Sequence, residues 1–203
     1  MGTYTYGQTE LDHLRKRDKK LGTAIDRIGM IEREVMPDTF TALVYNVASQ
    51  QISAKAVETV WARMADRFGE ITPGTIAGAS EEEIQQCGMS RRKAGYIRGI
   101  GEAVAGGSLD LVGLSRRSDD EIIARLTALK GVGTWTAEMI LIFSMCRPDV
   151  VSENDLAIRR GMTMLYGIDE LTREAFDRYR KRYSPYGTVA SLYLWEISHK
   201  TDW

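Results

Sequence analysis

Leu129-Lys130-Gly131-Val132-Gly133 decides how this chain is read, because it separates two stretches of helical periodicity. Ahead of it, Ile122, Ile123, Leu126 and Leu129 recur at helical spacing, and beyond it Ala137, Ile140, Leu141 and Ser144 do the same. The glycines therefore close a helix-hairpin-helix. Neither Gly131 nor Gly133 carries a side chain that would hold a phosphodiester away from the main chain. The turn opens the next helix, whose first amides lack partners and whose dipole is positive at that end, so an anion is favoured there. Thr134 and Thr136 add hydroxyl donors. The same five residues also fit an ordinary helical hairpin whose glycines only permit left-handed dihedrals, so the rest of the chain has to decide.

A carboxylate, Asp155, follows 24 positions after Gly131. A phosphate grip followed by an acid suggests binding of a nucleic-acid strand next to a catalytic group. Asp155 also fits a simpler role as the cap of a helix beginning at Leu156, and one residue can serve both.

The 203 residues, 43% hydrophobic and 27% charged, suffice for one substantial core or two small lobes. A formal net charge of -1 means that any surface for a polyanion is a local patch offset by acidic faces elsewhere. Basic clusters occur at Arg15, Lys16, Arg17, Lys19 and Lys20, at Arg91, Arg92 and Lys93, and at Arg178, Arg180, Lys181 and Arg182. Each equally fits a solvated helix face. Two cysteines, Cys87 and Cys146, are too few for a four-thiolate cluster and match no metal-ligand spacing; both are expected reduced and buried. No cleavable leader and no membrane-length apolar run is visible, so a cytoplasmic (bacterial cytosol or nucleoid) or eukaryotic nuclear location is expected, with no membrane partner.

Helical patterns run over Leu21 to Ile31, Phe40 to Gln50, Ala54 to Phe68, Ser80 to Gln86, Arg91 to Ala105, Ser118 to Leu129, Thr134 to Cys146, Leu156 to Tyr166, Arg173 to Tyr183 and Val189 to His199. Ser80 with Glu83 and Ser118 with Glu121 fit the capping box. Pro37, Pro73, Pro148 and Pro185 fall between patterns, and no repeat or low-complexity linker divides the chain. A single all-α unit over residues 1–203 is expected, with a hairpin-bearing lobe of about residues 40–150 and a second lobe from the N-terminal helices plus residues 151–203.

Ordered motifs across most of the chain resemble the helix-hairpin-helix DNA glycosylases, in the branch of 3-methyladenine DNA glycosylase II. They are Asp18 to Ile25, Ser49 to Ala56, Gly88 to Ala94, Leu129 to Ala137, Asn154 to Arg160 and Pro185-Tyr186-Gly187. The resemblance is to the compact form, without an N-terminal β domain, and it implies two helical lobes around a cleft. It implies that Asp155 is the catalytic aspartate beside a pocket for a base swung out of the duplex. A carboxylate in a poorly solvated site stabilises the oxocarbenium-like state of the sugar more than the neutral sugar.

In relatives that also cut the strand, the family places a Schiff-base lysine two positions beyond the second hairpin glycine. Trp135 stands there. Hydrolysis without strand cleavage is the expectation. Trp135 offers a π face to a cationic base, Met139 lies one helical turn further on, and Leu156 and Tyr186 complete the expected base pocket. Each of these four also fits ordinary packing, as Trp61, Trp195 and Trp203 do. The resemblance places Gln51, Ile52 and Ser53 at the duplex, filling the gap left by the extruded nucleotide. The alternative is that the glutamines of this stretch satisfy backbone groups at a helix junction. Lys93 is read as a phosphate contact. The family also suggests a Na+ or K+ ion on the carbonyls of Leu129, Gly131 and Val132, with no cofactor required.

The expected activity is a monofunctional base-excision glycosylase acting as a monomer on duplex DNA with alkylated purines, 3-methyladenine and 7-methylguanine. Three alternatives stay open. One is a non-catalytic DNA-binding or lesion-sensing protein, another a glycosylase for oxidised, deaminated or mismatched bases, and the third a helical interaction module.

Overall fold

The computed structural model describes residues 2–200, and the chain is helical almost throughout. The elements in order are β1 Gly2–Thr3, α1 Gln8–Arg17, α2 Lys19–Ile28, β2 Glu34–Val35, α3 Thr39–Ser49, α4 Ala54–Phe68, α5 Pro73–Gly78, α6 Glu81–Gln85, α7 Arg91–Ala105, α8 Leu111–Leu114, α9 Asp119–Thr127, α10 Thr134–Phe143, α11 Leu156–Tyr166, α12 Arg173–Tyr183 and α13 Gly187–Ser198. The two short strands pair antiparallel, Gly2 opposite Val35 and Thr3 opposite Glu34. Trp203 lies outside the described residues.

Most helix starts are written in the sequence as a side-chain oxygen that accepts an early amide. Asp18, Asp38, Ser53, Ser90 and Thr172 do this for α2, α3, α4, α7 and α12. The capping boxes at Ser80 and Ser118 both form, with each hydroxyl and the following glutamate exchanging bonds with the backbone. Three helices escape the periodicity reading. α1 buries only Leu11 and Leu14, and α8 is four residues long. α5 begins on Pro73 itself. Thr72 and Thr75 form a capping box around it, and proline suits a first helical position, where no amide partner is needed.

The chain divides into two compact units, one of Met36–Ile140 and the other of residues up to Val35 together with those from Leu141 onward. In the first, α7 packs on α3, α5 and α6. Ile97 and Ile100 of α7 are fully buried, as are Leu43 and Val47 of α3, Ile76 of α5 and Ile84 of α6. Each such side chain contributes about 1.5–3 kcal/mol by leaving water.

In the second unit α11 lies against α13, with Ile158 and Met162 in the same core as Tyr193, Leu194 and Ile197. The approach is close enough that a β-carbon on Gly161 would overlap the carbonyl oxygen of Leu194. A polar knot lies beside it. The buried Asp18 carboxylate accepts from the Leu21 amide at 3.0 Å, the Tyr166 hydroxyl at 2.8 Å and Arg182 at 3.1 Å. Tyr166 and Tyr183 share a hydroxyl contact of 2.7 Å, and burial pushes both phenols well above the ordinary tyrosine range, so both stay protonated. Arg182 thus serves the interior.

Of the two cysteines only Cys87 is buried. Cys146 is exposed at φ 51°, where the chain turns beyond α10, which corrects the expectation that both thiols are covered. Trp61 packs edge-on against Tyr45, and Trp195 stacks on Phe143, as ordinary helix packing requires.

Candidate active site and nucleic-acid interface

The hairpin turn between α9 and α10 is closed by the Val132 amide donating to the Leu129 carbonyl at 3.2 Å. Its two glycines do different things. Gly131 sits at φ 86°, and a β-carbon there would overlap the ring of Tyr96 on α7. Its bareness is required by the protein's own interior. Gly133 has nothing within 4 Å of a built β-carbon. It directly precedes Thr134, the first residue of α10, and has no side-chain oxygen to offer the helix's opening amides, though its carbonyl accepts from the Ala137 amide at 3.0 Å; the first turn contains no acid.

Thr134 is exposed beside Gly133, but Thr136 is buried, with its hydroxyl oxygen 3.5 Å from Nε2 of Gln50. Its hydroxyl is thus engaged within the chain, where the sequence reads it as a phosphate donor. The same Gln50 nitrogen donates to the Gly131 carbonyl at 2.9 Å. Lys93 likewise has partners within the chain: its ammonium donates to the carbonyls of Ala48, at 2.9 Å, and Gln50. Those carbonyls end α3, where the helix has no amides left to pair them and its dipole favours a cation. Burial also pushes the Lys93 ammonium below the ordinary lysine range.

Past Gln50 the chain turns outward. Gln51 has φ 58°, a left-handed conformation that costs a residue with a side chain on the order of 1 kcal/mol, and it is exposed. Ile52 is 38% exposed, a large apolar residue left facing solvent. Ser53 caps α4, its hydroxyl accepting from the Ala56 amide at 3.3 Å.

Asp155 stands before α11 and is 7% exposed. A single oxygen, Oδ1, accepts from the amides of Ala157 and Ile158, each at 2.9 Å, so the carboxylate's orientation is set by the helix it opens. Leu156, the next residue, is 83% exposed. Tyr186, of the same unit, is half-buried and meets His13 edge-on, with ring centroids 5.2 Å apart. His13 in turn lies 2.9 Å from the Ser184 carbonyl. In the hairpin's unit, Trp135 is 40% exposed while Met139 is 4% exposed and sits in the core. Of the four residues read as base-pocket wall, Trp135 and Leu156 present most surface.

Sequence reasoning missed Tyr96 and His13. Tyr96 had a signal: it lies three residues beyond Lys93 on α7, so the two share a helix face. The lone His13 had none.

Two of the three carbonyls suggested for a cation already accept an internal donor, Gly131 from Gln50 and Leu129 from Val132. Each keeps a second lone pair, and an uncharged carbonyl set suits a weakly hydrated monovalent ion. Among the described residues no group of three or more His, Cys, Asp or Glu is placed to hold a metal, and no helix is long and apolar enough to cross a membrane.

Comparison with known proteins sets this geometry in a family. Residues 44–185 match the HhH-GPD superfamily base excision DNA repair proteins. DNA-3-methyladenine glycosylase 1 of Schizosaccharomyces pombe is 34% identical over 171 residues, covering 82% of this chain and 75% of the relative. The crystal structure of a DNA-3-methyladenine glycosidase from Bacillus halodurans superposes with a TM-score of 0.88 at 34% identity, over 98% of this chain and 94% of that one. The 3-methyladenine DNA glycosylase of Schizosaccharomyces pombe in complex with abasic DNA gives a TM-score of 0.81 at 31% identity, over 97% and 99% of the two chains. The chain belongs to the HhH-GPD superfamily of base excision DNA repair proteins.

Proposed function

We propose that this protein is a monofunctional DNA glycosylase that hydrolyses the N-glycosidic bond of alkylated purines, 3-methyladenine and 7-methylguanine, in duplex DNA, acting as a monomer on an extruded base. Relatives named for 3-methyladenine glycosylase activity support the substrate class. The observation that carries the reading is Asp155, a nearly buried carboxylate oriented by two backbone amides at a helix start.

In this reading the strand is held where Gly133 leaves the main chain bare and the first amides of α10 attract a phosphate, with the Thr134 hydroxyl beside them. Gln51 and Ile52 fill the space left by the extruded nucleotide, which offsets the few kcal/mol that unstacking costs. Trp135 and Leu156 supply apolar surface for the base. A π face against a cationic purine is worth about 0.5–2 kcal/mol. The C1′–N bond then breaks with its electron pair going to the alkylated base, which departs neutral because it arrived cationic. Asp155 stabilises the positive charge left on the sugar and orients or deprotonates the water that adds to C1′. With tryptophan at 135 no amine is available there for a Schiff base, so strand cleavage does not follow. A Na+ or K+ ion, held by the carbonyls of Leu129, Gly131 and Val132, would supply positive charge close to the bound phosphate.

The test is to incubate the protein with methylated duplex DNA and assay free base and strand integrity separately. Released methylated purine with strands that break only after alkali is expected; nicking by the protein alone would overturn the monofunctional assignment.

A further inference from the structure

The end of α3, the first turn of α7 and the hairpin meet in one unit, and two polar side chains fasten them there. Gln50 Nε2 donates to the Gly131 carbonyl at 2.9 Å, and the Lys93 ammonium donates to the carbonyls of Ala48, at 2.9 Å, and Gln50. On the same face of α7, Tyr96 closes against Gly131. Residue 50 is thus held at both its side chain and its carbonyl, immediately ahead of Gln51, whose left-handed φ of 58° is a conformation its side chain disfavours. Such a conformation persists only where its surroundings over-determine it.

We infer that Gln50 and Lys93 are positioning residues, a brace that locks the exposed Gln51–Ile52 turn to the hairpin so that gripping the strand and filling the vacated base position occur in one fixed register. Neither touches DNA. The Lys93 charge is spent on α3's terminal carbonyls, so it contributes no counterion release when the duplex binds. Without the brace the hairpin still captures a strand, while the turn relaxes from its left-handed form and inserts poorly.

This inference rests on the glycosylase reading only for its excision assay. The experiment compares wild type with Lys93→Met and Gln50→Leu, after thermal melts establish a temperature well below unfolding for each. Affinity for a duplex with an abasic site is measured against salt, base extrusion is followed by 2-aminopurine fluorescence, and single-turnover excision is timed on methylated duplex. Both variants should keep the wild-type slope of log affinity against log salt and affinity within about threefold, while the extrusion signal and the excision rate each fall by about tenfold. A Lys93→Met slope shallower by about 0.9 with extrusion intact would make Lys93 a phosphate contact and overturn the inference. Unchanged extrusion in both variants would overturn it as well. Should either variant fail to fold, Gln50→Asn, too short to reach Gly131, carries the same comparison. Absence of methylated-base release by wild type would instead sink the proposed substrate, leaving the slope and extrusion measurements to judge the brace.

Discussion

The starts of α10 and α11 pose the same physical problem and solve it in opposite ways. Each opens a helix at the end whose dipole favours negative charge, and each follows its cap position within two residues by an exposed apolar side chain, Trp135 in one and Leu156 in the other. At α11 the charge is internal: Asp155 accepts the amides itself. At α10 the cap position is Gly133, with no side-chain oxygen to give and open space where a β-carbon would stand. The contrast teaches that one helix start can be capped by its own carboxylate while another presents bare main chain. In the proposed reaction the first does chemistry and the second does capture.

The largest effect should come from Asp155→Asn, which keeps an oxygen for the Ala157 and Ile158 amides but removes the charge. Single-turnover excision should fall by about 10²–10³-fold or more, with DNA affinity and melting temperature nearly unchanged. Wild-type excision by this variant would remove Asp155 from the mechanism.

Gly133→Asp makes α10 start as α11 does. A carboxylate on the open cap should raise helix stability by a few tenths to about 1 kcal/mol while cutting affinity for duplex DNA by roughly 10–100-fold, because it occupies and repels the phosphate's position. Denaturant unfolding and fluorescence anisotropy read the two opposed changes. Unaltered DNA binding would show that the comparison between the helix starts has no functional content.

The two hairpin glycines should then separate cleanly. Gly131→Ala forces a β-carbon into Tyr96 at a positive φ and should destabilise the fold by about 2 kcal/mol or more, whereas Gly133→Ala should stay within ~0.5 kcal/mol and lose affinity instead. Equal losses of stability would refute the distinction. The smallest effect is expected at Leu156→Ser, which removes an apolar group already in water. Folding stability should move by less than ~0.5 kcal/mol, while discrimination for methylated over unmodified duplex declines.

The helices were legible in the sequence wherever apolar residues recurred over several turns or a capping box marked a start, as at Ser118 and Glu121 ahead of the hairpin. They were illegible where a helix was nearly all polar, like α1, or opened on a proline, like α5. The acid at 155 was legible through the resemblance that places it in Asn154 to Arg160, not through its setting, because Glu138, Asp149 and Glu153 also follow the glycine turn. Lys93 and Thr136 share one illegible feature: a sequence shows that a side chain can donate to phosphate, but not that a carbonyl or amide of the same protein also engages it. Gln50 illustrates the converse. Its role at a helix junction was weighed, but its partner, 81 residues further along the chain, emerges only from tertiary contact.

The close seating of α11 on α13 at Gly161 has a consequence for how damage to this protein would be diagnosed. Asp155 rides at the tip of a rod whose middle is clamped where a methyl group already collides with Leu194. A replacement as small as alanine at 161 would lever that rod and swing its tip, so a screen of sequence variants would group position 161 with position 155.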